Sequence, residues 1–118
     1  MFFLKKKQYK ESKDQFFKIL NDKTKLNYSQ EFFSMLANNY AVMCFYNGDI
    51  DESLATLEYL LLEKYVRKEI IFYNIAYIYK SKGDNKRFSE YLFKSNEFDN
   101  NNFRISSEIR KLLISQKY

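Results

Sequence analysis

Three carboxylates stand close together in the sequence, Asp49, Asp51 and Glu52, and such a group could carry out proton-transfer chemistry. Paired carboxylates act as general acid and base in many enzymes. This group, however, directly follows Gly48 at a predicted helix start, where acidic side chains cap free backbone N–H groups and interact favourably with the helix dipole. Because Glu52 lies three residues after Asp49, the spacing predicts a capping box.

Other kinds of catalytic and metal site lack the residues they need. The chain has no histidine and one cysteine, Cys44, so it cannot form a Ser/His or Cys/His relay, an intramolecular disulfide or a standard zinc site. Its two glycines, Gly48 and Gly83, are too few for a glycine-rich phosphate loop. We therefore predict that the protein is not an enzyme and holds no cofactor and no metal.

The location of the protein is predicted from its apolar segments and its cysteine. No segment reaches the about 18 to 20 apolar residues of a membrane span. The apolar residues Met1–Leu4 precede lysines, which is the reverse of a secretory signal. A lone Cys44 in an apolar run indicates a buried thiol in a reducing compartment. We expect a cytoplasmic protein, or a periplasmic one if a signal or lipoprotein segment has been removed.

Length and composition predict a small all-helical domain. The 118 residues include 11 tyrosines and 12 phenylalanines, whose rings supply apolar area for a core. Proline is absent and glycine is rare, whereas β-sandwiches and barrels need many turn residues. The fold class follows as all-α.

The charges are arranged in three bands along the chain. Residues 1–26 carry eight lysines and three acids, residues 27–64 one lysine and six acids, and residues 65–118 eleven bases and six acids. Nucleic-acid modules concentrate their bases on one face, whereas here the C-terminal bases are spread singly among acids. We do not expect a nucleic-acid partner. The banding favours instead the stacking of one copy's acidic middle against another copy's basic end.

A repeat of 35 residues runs through the chain. It places Asn39-Tyr40-Ala41 over Asn74-Ile75-Ala76, and Gly48-Asp49 over Gly83-Asp84. Each copy predicts two antiparallel helices joined at the glycine, which tolerates the left-handed conformation that follows a helix end. The predicted helices are about 29–47, 50–64, 67–82 and 85–98. A partial copy upstream matches at an offset of 41, and an amphipathic stretch at about 103–116 predicts a last helix.

At these residues the sequence resembles the tetratricopeptide repeat (TPR) family, whose repeat is a helix pair of about 34 residues. Ala41 and Ala76 match the small position of the first helix, and Gly48 and Gly83 match the turn. The resemblance implies an α-solenoid of antiparallel helix pairs, a TPR-like right-handed superhelix of about five to six helices. It implies one domain, 1–118, with a half repeat at 1–22, repeats at 28–64 and 66–98, and a capping helix at 102–116.

Two features depart from the family pattern. Phe88 occupies the small position that Ser53 fills one repeat earlier, so a ring must fit where two helices usually come close. At the N-terminus, Phe2, Phe3 and Leu4 end a helix whose beginning is missing, and they have no predicted cover. Either they fold back or they form a homodimer contact.

The resemblance implies that the first helices of successive repeats line a groove that binds a peptide or protein partner, in a scaffold or adaptor role. The groove positions implied are Asn38, Asn39, Val42, Phe45 and Tyr46 in one repeat and Tyr73, Asn74, Tyr77 and Lys80 in the next, together with Met35, Ile70 and Ser81. Their asparagines could bond a peptide backbone, and their rings could bury apolar side chains. Alternatives that stay open are a structural subunit, such as an outer-membrane assembly lipoprotein fragment, and a peptide-sensing regulator.

Overall fold

The computed structural model describes residues 6–21, 29–64 and 66–98, and within these ranges it contains five α-helices and no strand. Their bounds are α1 Lys6–Leu20, α2 Gln30–Tyr46, α3 Ile50–Leu60, α4 Lys68–Ser81 and α5 Asn85–Phe98. The predicted all-α class is confirmed. Helix α1 packs on α2, α2 packs on α3, and α4 packs on α5.

The chain divides into two compact units, the first ending at Val66 and the second beginning at Arg67. The first unit contains α1, α2 and α3, and the second contains α4 and α5. Two predictions fall outside the described residues. They concern the apolar N-terminal side chains Phe2, Phe3 and Leu4, and the capping helix at 102–116.

The two turns predicted at glycine have the same hydrogen bonds. Gly48 and Gly83 have φ angles of 92° and 77°, in the left-handed region that glycine adopts without strain. The amide of Asp49 donates to the carbonyl of Cys44 at 2.8 Å, and 35 residues later the amide of Asp84 donates to the carbonyl of Tyr79 at 3.0 Å. This is the Schellman arrangement, which satisfies free carbonyls at a helix end.

The core of the first unit lies between the facing sides of α2 and α3. Leu36, Tyr40 and Cys44 recur every four residues along α2 and are buried, as helical spacing predicts. Leu57 and Leu60 of α3 are buried as well. Helix α3 ends at Leu60, four residues earlier than the sequence predicted.

Helix α1 packs antiparallel to α2 through aromatic rings. The ring of Tyr9, near the start of α1, stacks on Tyr46 at the end of α2 with centroids 5.1 Å apart. Further along α1, Phe17 contacts Tyr40 at 6.0 Å. These contacts account for the upstream partial repeat, because α1 takes the place of a second helix before α2.

The core of the second unit is built around Phe88. Phe88 packs with Ala76 and Leu92, and Tyr73 and Tyr91 cover the cluster. The serine that bonds the facing helix stands at another position of this pair, Ser95.

The close approach in the second unit lies at Ser95. Its hydroxyl donates to the carbonyl of Glu69 at 2.6 Å, at the end of the helix pair away from the turn. In the first unit the corresponding bond runs from Ser53 to the carbonyl of Ala41, also at 2.6 Å, close to the turn.

The predicted capping box at Asp49 is wrong. Asp49 is the N-cap residue of α3, but its side chain makes no cap hydrogen bond. Its carboxylate accepts instead from Lys13 of α1 at 2.8 Å and from the amide of Asn47 at 2.8 Å. Both donors bond the same oxygen, Oδ2, and the charged lysine makes the stronger of the two hydrogen bonds. In the second unit, which has no α1, Asp84 does cap and accepts from the amide of Arg87 at 3.1 Å.

Candidate partner-binding surface

A row of exposed side chains runs along α2 beside its buried face. Phe32, Met35, Asn39 and Tyr46 follow each other at intervals of three, four and seven residues, which places them on one side of a helix. The exposed fractions of the three apolar members are 37% for Phe32, 58% for Met35 and 43% for Tyr46. We call these four residues the α2 row. An outward helix face is ordinarily polar, so this row requires an explanation.

The structure places the five predicted site residues of α2 on or next to this row. Asn39 and Tyr46 are exposed, whereas Asn38, Val42 and Phe45 are half-buried. Phe45 meets the ring of Tyr46 edge-on at 5.2 Å. Since Tyr9 stacks on the same ring, Tyr46 is held in place by neighbours on two helices.

The four predicted site residues of α4 form a second, smaller group. Tyr77 and Lys80 are exposed, and Tyr73 and Asn74 are half-buried. The rings of Tyr73 and Tyr77 lie 5.6 Å apart. The ammonium group of Lys80 lies 5.8 Å from the centre of the Tyr77 ring and 5.5 Å from that of Phe88. A cation over an aromatic face is attracted by the ring quadrupole, so this group offers a ring and an ordered positive charge together.

The predicted pair of asparagines does not consist of two equivalent groups. Asn39 is exposed, but Asn74 is half-buried and already takes part in an interaction within the chain, as does Asn38. Phe32 belongs to the α2 row, and Tyr9 stacks on Tyr46 of the same row. The sequence analysis assigned neither residue to the site. The spacing of seven residues between Phe32 and Asn39 is a signal that could have found Phe32.

A polar network near the turn of the first unit joins all three helices. Lys13 of α1 bridges Asp49 at 2.8 Å and Glu52 at 3.1 Å. Glu52 also accepts a hydrogen bond from the hydroxyl of Tyr40. The hydrogen bond from Lys13 holds the pKa of Asp49 below its ordinary value of 3.8, and the Asn47 amide acts in the same direction. Every member has a structural partner, so the network positions helices and leaves no group poised for chemistry.

Two buried groups beside this network are held in their neutral forms. Burial is the main cause that raises the pKa of Tyr40 above its ordinary value, and its bond to Glu52 adds to the effect. Burial likewise raises the pKa of the Cys44 thiol to about 11. Both groups are therefore uncharged at neutral pH. The described residues contain no cluster of three or more potential metal ligands.

The remaining observations concern membranes and known proteins. No helix of the described ranges is long and apolar enough to cross a membrane. Compared with protein-family models, with curated proteins and with solved structures, the chain gives no match. The resemblance to tetratricopeptide repeats therefore depends on the repeat within the chain itself.

Proposed function

We propose that the protein is a TPR-like binding module that holds a protein or peptide segment on α2, the first helix of the first unit's pair, with the α4 group as a separate surface of the second unit. The observation that carries the proposal is the α2 row, in which Phe32, Met35 and Tyr46 expose apolar surface on one helix side. Contiguous apolar surface costs solubility unless something covers it, and such surfaces mark interaction sites. The partner is expected to bring apolar or aromatic side chains.

The polar groups beside the row suit a peptide backbone. Asn39 is exposed between Met35 and Tyr46, and its amide can donate and accept at once. On α4, Tyr77 offers a ring and Lys80 offers a charge held over it. The proposal does not depend on Asn38 or Asn74, each of which already takes part in an interaction within the chain.

The role that fits such a surface is that of a scaffold or adaptor. Cys44 is a free, buried thiol, which suits a reducing compartment, and we expect the module to act in the cytoplasm. The absence of a poised catalytic group in the polar network of the first unit favours binding over chemistry.

The test is site-specific photo-crosslinking in the native host. A photoreactive residue at Met35 should crosslink to a partner, and one at Tyr77 tests the α4 group separately. The matched controls carry the photoreactive residue at Gln15 of α1 or at Asn96 of α5, which are exposed but lie outside the proposed surface. A partner recovered equally from the control positions would contradict the assignment.

A further inference from the structure

A row of aromatic rings covered by basic groups runs along the contact between α4 and α5. Tyr79 stacks on Tyr91 at 5.5 Å, Tyr91 meets Phe72 at 6.2 Å, and Phe72 meets Phe98 at 5.5 Å. Four basic side chains lie over these rings, and we call them, with the rings, the cationic seam. They are Lys82 and Arg87 over Tyr79, Lys94 over Tyr91 and Phe72, and Lys68 over Phe98.

Three of these positive charges have no carboxylate partner among the described residues. Arg87 pairs with Asp84 at 3.0 Å, but no ion pair among the described residues includes Lys68, Lys82 or Lys94. The ammonium group of Lys94 lies 4.9 Å from the centre of the Tyr91 ring, so the ring helps to hold it in place. An ordered cation loses less entropy on binding an anion than a free one does.

The arrangement of the rings favours a carboxylate partner over a nucleic acid. Single-stranded nucleic acids bind by stacking bases on exposed aromatic faces. Here Tyr79 and Tyr91 stack on each other with an interplanar angle of 11°, and Arg87 lies over Tyr79. Because neighbouring rings and cations cover these ring faces, the groups left to contact a partner are the ammonium and guanidinium groups of the basic side chains.

The outer face of α3 has the complementary charge. Asp51 and Glu58 are both exposed and lie seven residues apart, and the described residues give neither an ion pair. Leu62 and Tyr59, beside them, are 84% and 61% exposed. We call these four residues the acidic face. The whole segment 29–64 holds six acids and one lysine.

The two surfaces also match in spacing. Seven residues of α-helix correspond to about 10 Å along the axis, and this separates Asp51 from Glu58 on α3. The same interval separates Arg87 from Lys94 on α5. We propose that a second copy of this chain docks its acidic face on the cationic seam, so that Asp51 and Glu58 of one copy meet Arg87 and Lys94 of the other. This inference is independent of the proposed function, since it uses neither the α2 row nor Tyr77.

Charge reversal with complementation tests the proposal on the full-length protein. One variant reverses the seam, Arg87→Glu with Lys94→Glu, and the other reverses the acidic face, Asp51→Lys with Glu58→Lys. Because Arg87 pairs with the cap of α5, Lys94→Glu alone serves as a second seam variant that keeps this pair. The control is Lys10→Glu with Lys18→Glu, which equals the double seam reversal in net charge and lies on exposed positions of α1, a helix that belongs to neither surface. Circular dichroism checks that each variant is folded.

Sedimentation velocity up to about 1 mM protein supplies the readout, a range that detects even weak association. The wild type should associate, and association should weaken as salt rises from about 0.05 to about 0.5 M. Each reversal should raise the dissociation constant about tenfold or more, the control should not, and an equimolar mixture of the two reversed variants should associate again. The proposal is overturned if the wild type stays monomeric, or if reversal leaves association unchanged. It is equally overturned if the mixture fails to recover, or if the wild type is monomeric but a single-stranded oligonucleotide binds the seam.

Discussion

Ser53 and Phe88 occupy the same position of two successive helix pairs, and both are buried, with 0% and 1% of their surfaces exposed. The serine lets α3 approach α2 near the turn, where its hydroxyl bonds the carbonyl of Ala41. The phenylalanine fills that space in the second pair, whose serine contact lies at the other end, between Ser95 and Glu69. The two pairs therefore share a turn geometry but differ in where a serine hydroxyl bonds the facing helix.

The small residue at the first of these close approaches should not tolerate enlargement. Ala41 is fully buried, and the hydroxyl of Ser53 reaches its carbonyl. Ala41→Leu should lower the free energy of unfolding by about 1 to 3 kcal/mol, the usual cost of overpacking. Urea unfolding followed by circular dichroism measures it. Ala55→Leu on the exposed side of α3 is the matched control, and equal stability of the two variants would mean that Ala41 lies at no helix contact.

The ring of Phe88 should be a principal stabilising element of the second unit. It packs against Ala76 and Leu92 with almost none of its surface exposed. Phe88→Ala should reduce the free energy of unfolding by about 3 to 5 kcal/mol, because the removed ring leaves a cavity. Phe93→Ala on the same helix is the control, since Phe93 is mostly exposed. A small loss at Phe88, equal to that at Phe93, would contradict the described core.

The bridge from Lys13 to Asp49 predicts a loss of stability in acid. The pKa of Asp49 is depressed in the folded protein, chiefly by its hydrogen bond from Lys13. A depressed carboxyl pKa stabilises the fold above the ordinary value of 3.8, and this stabilisation disappears as pH falls through the lower, folded value. The urea midpoint of the wild type should therefore be lower at a pH below 3.8 than at neutral pH.

Removing the lysine should remove much of that dependence. Lys13→Met takes away the cation, and we expect it to cost about 0.2 to 1 kcal/mol at neutral pH, the range for ion pairs that water still reaches. The urea midpoint of Lys13→Met should then fall less on acidification than that of the wild type. Lys18→Met, an exposed lysine of the same helix with no ion pair in the described residues, should keep the wild-type profile. Identical pH profiles for wild type and Lys13→Met would show that the bridge does not form in solution.

The thiol of Cys44 should be protected in the folded state. It is fully buried, and burial raises its pKa to about 11, so thiolate is scarce at neutral pH. A disulfide reagent should modify the native protein at least about a hundredfold more slowly than the urea-unfolded protein, since reaction must wait for opening of the structure. Absorbance of the released thiol measures both rates. Comparable rates would mean that Cys44 is accessible in the native state.

The sequence predicted the helix pairs and their turns because these depend on local signals. A glycine that needs a positive φ, at Gly48 and again at Gly83, marks each turn, and helical spacing marks the buried sides. The bounds of α5 agree with the prediction at both ends. Local chemistry was enough for this much of the fold.

The sequence did not predict the contacts that depend on a neighbouring helix. Asp49 was assigned to a cap because three-residue spacing to Glu52 predicts one, yet Lys13 lies 36 positions away in sequence and takes its carboxylate. Phe32 has the spacing of a core residue as well as that of the α2 row, and only the packing of α2 leaves it exposed. For the same reason, sequence alone could not separate the exposed Asn39 from the half-buried Asn74.

The central claim is that the α2 row binds a partner segment, and a titration of the crosslinked segment tests it most directly. Met35→Glu places a charge in the row and should weaken binding at least about tenfold, as should Tyr46→Ala, because truncating an anchoring ring typically costs about 2 kcal/mol or more. Asn39→Ala should cost less, about 0.5 to 1.5 kcal/mol. Phe93→Glu, at an exposed ring of α5, should bind as the wild type does. Unchanged affinity in Met35→Glu and Tyr46→Ala, with binding lost in Phe93→Glu, would contradict the account.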